Sequence, residues 1–188
     1  MRFVSKLIDL KIIDKENKDI YEYGFNSLIH YIFFVFLLIL SNLLVTHELI
    51  NTIIFLLLFF NIRRYCGGIH FNNQYVCFIG SLLFSLGIPY FCSHFKFYND
   101  YILIIEICFS IILCFLPIVD HPNKPVDDRL KRIYHRYIIV FLVIYMMLSV
   151  LSLYFKNIVL FYLILTAILS NVVFVLLGYL KYKIIHRI

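Results

Sequence analysis

Six apolar runs, near residues 27–45, 49–62, 74–92, 100–119, 137–155 and 158–178, alternate with short polar intervals. A straight helical crossing takes about 20 residues at 1.5 Å each, with a lower bound near 17. The pattern predicts an all-α, polytopic membrane protein with six transmembrane helices. The second run is the shortest, so it is expected to stop at the Arg63 and Arg64 edge or to be partly re-entrant. Ahead of the runs, Phe3, Val4, Leu7, Ile8, Leu10 and Ile12 fall mostly on one helical side, with Arg2, Lys6, Asp9 and Lys15 elsewhere. Residues 3–13 thus predict an N-terminal amphipathic helix in the interface plane, ended by the polar run 14–19. In the third run, Gly80, Ser81, Ser85 and Gly87 suggest a small face for a neighbouring helix or a peptide. Pro89 is expected to kink or end that helix.

Composition agrees with this class. Of 188 residues, 63% are hydrophobic and 15% charged, with a mean hydropathy of +0.92; soluble domains are about half apolar and a quarter charged. No linker-like tract divides the chain, which predicts one domain over 1–188: 1–24 as interfacial helix and linker, 25–188 as the bundle. The start, MRFVSKLIDLKIIDKENKDIYEYG, is charged throughout, and predicts no cleavable signal peptide. Trp is absent, leaving interfacial anchoring to Tyr, Lys and Arg.

Charge changes the picture by giving it a direction. A net charge of +6 sits between apolar runs, which points to anionic headgroups rather than nucleic acid. With six crossings, fifteen Lys and Arg fall on one side and only Lys96 and Lys156 on the other. The positive-inside rule then puts both termini and residues 63–77 in the cytoplasm. Cys66, Cys77, Cys92, Cys108 and Cys114 are odd in number and fit no zinc spacing. The last three read as small core residues.

Candidate chemistry gathers in residues 63–77, RRYCGGIHFNNQYVC. In an unbroken helix His70 and Cys77 would share a face with Cα atoms about 10.5 Å apart, too far for a direct thiol–imidazole bond. Gly67 and Gly68 break the helix, and Asn72 or Asn73 is a good N-cap for a new one starting near Gln74. Cys77 then lies in a first helical turn, with His70 folding back over it. Only a thiolate attacks well, and a helix N-terminus and an imidazolium both favour the anion. Free N–H groups there would suit an oxyanion. The pair alone leaves two readings open, catalysis and incidental interfacial residues. Two ligands do not make a metal site, and no cofactor is called for.

Other polar residues read more simply. Glu106, toward the outer end of the fourth run, suggests a hydrogen-bonded structural carboxyl over a part in peptide passage. Asn42 and Asn171 are expected to bond between helices. The basic residues of 120–136 either gather an anionic substrate tail or form a solvated loop.

Residues 63–77 resemble the signature of the accessory gene regulator B (AgrB) family, membrane endopeptidases of Gram-positive quorum sensing. Arg64, Gly67, Gly68, His70 and Cys77 occupy the matching places. The run PIVDHPNKPVDDRLKR, through Pro117, Lys124 and Pro125, resembles the family's proline- and lysine-rich loop before the fifth span. Cys66 departs from the pattern as a second nearby thiol. The resemblance implies that Cys77 attacks a backbone carbonyl of a short precursor peptide while His70 takes the thiol proton. An acyl-enzyme thioester follows, which a Cys or Ser of the peptide resolves into a cyclic thiolactone or lactone. The implied partner is an amphipathic, acidic-tailed precursor (AgrD-like), and a homodimer is also implied. A third member orienting His70 is open among Asn72, Asn73 and Asp120. Arg63, Arg64, Gly67, Gly68, Ser81 and Lys124 are candidates for binding or positioning the precursor, though the arginines equally mark a span's end. The alternative to an enzyme is a peptide exporter or scaffold built on the same bundle.

Overall fold

The computed structural model describes residues 14, 18–69, 73–95, 101–119 and 126–185. The expected interfacial helix, His70, Asn72, Asp120 and Lys124 lie outside the described residues. Among the described residues there are six α-helices: α1 (Lys18–Ser41), α2 (Leu49–Cys66), α3 (Gln74–His94), α4 (Tyr101–Phe115), α5 (Asp128–Tyr154) and α6 (Ile158–Ile185). A π-helical turn, Asn42–Thr46, extends α1. The helices run alternately up and down, so Cys66, Asn73, Val119, Asp128 and Gly178 come to one end. All described Lys and Arg except Lys156 belong to that basic end.

Five helices are long and apolar enough to cross a membrane, and α4 is the short one. Its 15 residues rise about 22 Å, less than the ~30 Å hydrocarbon core. The expected 100–119 run stops being helical at Phe115 because Pro117 follows, with no N–H to continue the ladder. The second run is longer than expected: α2 carries Arg63 and Arg64 in its last turn and reaches 18 residues. Pro89 does not end α3, which continues to His94.

Helix α6 is the centre of the bundle and touches α2, α3, α4 and α5. It is apolar nearly all round, as a helix enclosed by others must be. Phe161, Leu163, Ile164, Ala167, Ile168 and Val175 are fully or almost fully buried along it. Phenylalanines cement the contact: Phe174 of α6 meets Phe59 of α2 at 5.7 Å between ring centroids and Phe84 of α3 at 5.3 Å. Helix α1 leans on α3 instead, with Phe33 and Phe34 flanking Phe78 at 6.0 and 5.6 Å.

At the other end of the bundle, buried Asn42 closes the α1–α2 hairpin. Its Nδ2 donates to the Leu38 carbonyl at 2.9 Å, and its Oδ1 accepts from the Thr46 and Thr52 hydroxyls, each at 2.9 Å. Glu106 of α4 is fully buried and accepts from the Ser149 hydroxyl of α5 at 2.6 Å. Both residues bond as the sequence suggests. Of the thiols expected in the core, Cys92 is buried, Cys114 is half-buried and Cys108 is exposed on α4. That correction follows from α4 lying at the bundle's edge, where an apolar face meets lipid rather than protein.

Candidate active site

Residues 63–69 form a helix end followed by a turn, and the sequence dictates both. Gly67 has φ +67° and Gly68 φ +134°, backbone that L side chains rarely adopt. Space forbids a side chain as well. A Cβ on Gly67 would strike the Val119 carbonyl, and one on Gly68 would meet the Arg63 guanidinium and lie 2.7 Å from the Phe174 carbonyl oxygen. The helix therefore breaks at the two glycines.

Arg63 clamps the break. Its Nη1 donates to the Gly67 carbonyl, its Nη2 to the Ile69 carbonyl at 2.8 Å, and its guanidinium lies 5.0 Å from the centroid of the Phe174 ring. A planar fork that reaches two carbonyls while covering an aromatic face is a task lysine performs poorly. Arg64 points outward, exposed, with its guanidinium 6.0 Å from the Tyr65 ring. Tyr65 packs on Tyr137 and Tyr134 of α5 at 5.0 and 5.5 Å.

The second sequence motif is joined to the first. Val119 donates its N–H to the Cys66 carbonyl at 3.1 Å, and residues 67 and 119 pair in parallel. The segment after Pro117 is thus tied to the glycine turn, although Lys124 lies beyond the described residues.

Cys77 stands in the first turn of α3, half-buried. Asn73 caps the helix: its side chain accepts from the Tyr75 N–H at 2.9 Å, and its carbonyl accepts the Cys77 N–H at 3.1 Å. These two first-turn donors are committed to the cap, which narrows the free N–H groups expected for an oxyanion. The Asn73 amide oxygen is likewise engaged in capping, which bears on its candidacy as the residue orienting His70.

The thiols differ sharply. Cys66, 3% exposed, faces the bundle and lies 3.6 Å from the Asn171 side-chain oxygen and 3.5 Å from the Gly67 carbonyl. Cys77 is only half-buried in the first turn of α3. Ser81, one helical turn further, is exposed, and a Cβ added at Gly80 would meet nothing within 4 Å. The face of α3 beside Cys77 is therefore open, while Ser85, deeper in, is buried. Close approach of a helix or a peptide was expected at Gly80 and Gly87; no neighbouring helix reaches either, and Gly178 on α6 is the tight one, where a Cβ would lie 2.6 Å from Gly68. Asn171 was legible as a residue bonding between helices, whereas Phe174 and Gly178 showed only as a 3- and 4-residue spacing from it along an apolar helix.

The sequence model of the family described as accessory gene regulator B matches residues 1–185. The chain belongs to the accessory gene regulator B family. AgrB membership implies involvement in agr quorum-sensing peptide processing, with a precursor peptide as partner. No curated protein and no solved structure matches the chain.

Proposed function

We propose that this AgrB protein is a membrane cysteine endopeptidase acting on a short precursor at the cytoplasmic bilayer edge, with Cys77 as nucleophile and His70 as base. The observation that carries the reading is the contrast between the thiols: Cys77 sits in a capped first turn beside an open face, whereas Cys66 is enclosed. The Cys77 sulfur attacks the scissile carbonyl as His70 takes its proton. The C–N bond breaks, the imidazolium gives that proton to the departing amine of the C-terminal tail, and a thioester remains. A thiol or hydroxyl within the bound peptide then attacks the thioester, forming the ring as the C–S bond to Cys77 breaks and the thiol is restored.

Location serves the second half of the reaction. Water competes with the internal nucleophile for the thioester, so a site at the lipid edge, where water is scarce, favours cyclisation over hydrolysis. Arg64 and the arginines of residues 128–136 offer positive charge to an acidic precursor tail. Lys124 extends that surface in sequence.

Co-expression of the full chain with its precursor tests the reading. Cys77→Ser and His70→Ala are expected to abolish cleavage, and Cys66→Ser to retain most of it. Precursor cleavage and export that both survive Cys77→Ser would identify an exporter instead.

A further inference from the structure

The turn that leads into His70 is not held by its own helix alone. Three residues on one face of α6, at positions 171, 174 and 178, meet it in succession. The Asn171 side-chain oxygen lies 3.6 Å from the Cys66 thiol, while its Nδ2 is anchored to the Ala167 and Phe59 carbonyls at 2.9 and 3.3 Å. The Phe174 carbonyl accepts the Ile69 N–H at 3.0 Å, and its ring lies under Arg63. Gly178 lets the backbone of residues 68 and 69 approach so closely that a Cβ there would lie 2.6 to 2.8 Å from three backbone atoms. Ile69 is covalently next to His70, so these contacts fix the chain up to the residue that precedes it.

We infer that α6 is the seat of the His70 turn, with Gly178 and Phe174 acting as positioning residues for the reaction. The inference rests on the His70–Cys77 reading above. Neither residue touches substrate. Gly178 sets the distance between the turn and α6, and Phe174 sets its register through one backbone hydrogen bond and the guanidinium stacked on its ring. A Cβ at Gly178 meets backbone on the turn rather than a side chain that can swing away, so the turn itself must move. A displacement near 1 Å at a reacting group lowers turnover on the order of 10²-fold.

A double-mutant cycle on the full chain in proteoliposomes separates seating from general packing. The readout is the rate of Cys77 alkylation by iodoacetamide, resolved by peptide mass spectrometry. His70→Ala is expected to slow it roughly tenfold, because less thiolate is present. Gly178→Ala alone is expected to reproduce most of that slowing, and His70→Ala/Gly178→Ala to be no slower than His70→Ala. In cleavage assays Gly178→Ala should lower kcat with KM little changed. Additive slowing, or no slowing by Gly178→Ala where His70→Ala slows, would overturn the seating role. Unchanged alkylation in His70→Ala would overturn the His70–Cys77 pair, and this inference with it. Should Gly178→Ala fail to insert, Phe174→Leu enters the same cycle with the same two outcomes.

Discussion

The two ends of the bundle use polar groups in opposite ways. At the Asn42 end, side chains bond to one another and to their own helices: one amide takes the hydroxyls of Thr46 and Thr52 and returns a bond to Leu38. At the Gly67 end, bonds tie irregular backbone to helices. Arg63 holds the Gly67 and Ile69 carbonyls, Phe174 receives the Ile69 N–H, and Cys66 receives that of Val119. Irregular backbone at membrane depth persists only where protein or water satisfies it. The Asn42 end closes a hairpin; the Gly67 end holds residues 67–69 in a defined place, as the proposed reaction requires.

The comparison breaks most visibly at Arg63. Arg63→Ala leaves two carbonyls without their donor, a loss of about 1.5–3 kcal/mol for each charged hydrogen bond. Cleavage of co-expressed precursor is expected to fall on the order of 10²-fold. Arg63→Lys should recover little, since an ammonium cannot span both carbonyls in one plane. A variant that keeps wild-type cleavage would mean the turn is held without its clamp.

A second substitution sharpens the contrast from the other side. Asn42→Leu strands the buried Thr52 hydroxyl and the half-buried Thr46 hydroxyl and should destabilise the protein by about 1–3 kcal/mol in detergent unfolding. Its cleavage per folded molecule should stay close to wild type, because the site lies at the opposite end. A cleavage defect as deep as that of Arg63→Ala would remove the distinction between the two ends.

Smaller effects are expected between the ends. Ser149→Ala withdraws the one hydroxyl bonded to Glu106, and intramembrane bonds of this kind average about 0.6 kcal/mol. Glu106→Gln keeps shape and bonding, so both variants should leave precursor cleavage near wild type. A large loss of product release from either would give Glu106 a part in peptide passage.

How far the sequence was legible follows the same division. Apolar periodicity located all six helices, and two glycines with an asparagine located the break and the restart of α3. Asn73 caps that helix as its residue type suggests. The end of α2 was misjudged because two arginines read as the edge of a span, whereas Arg63 bonds forward onto the turn. The end of α4 was misjudged because hydropathy continues past Phe115 and only Pro117 marks the stop. The small face of α3 left helix packing and a peptide's approach equally open, and Gly80 and Ser81 are not covered by a neighbouring helix. Gly178 escaped notice because a lone glycine in an apolar helix looks like any tolerated small residue. What made it matter lies 110 positions away, at Gly68. Long-range contact of that kind leaves no local pattern.

The proposed chemistry centres on a covalent bond to one sulfur, and that bond can be observed directly. Full-length protein in proteoliposomes, mixed with precursor and quenched in acid during turnover, should carry the peptide's N-terminal portion as a thioester. Peptide mapping is predicted to place it on Cys77, with none formed in His70→Ala. The same adduct on Cys66, or cleavage that proceeds with no adduct on any cysteine, would contradict the assignment.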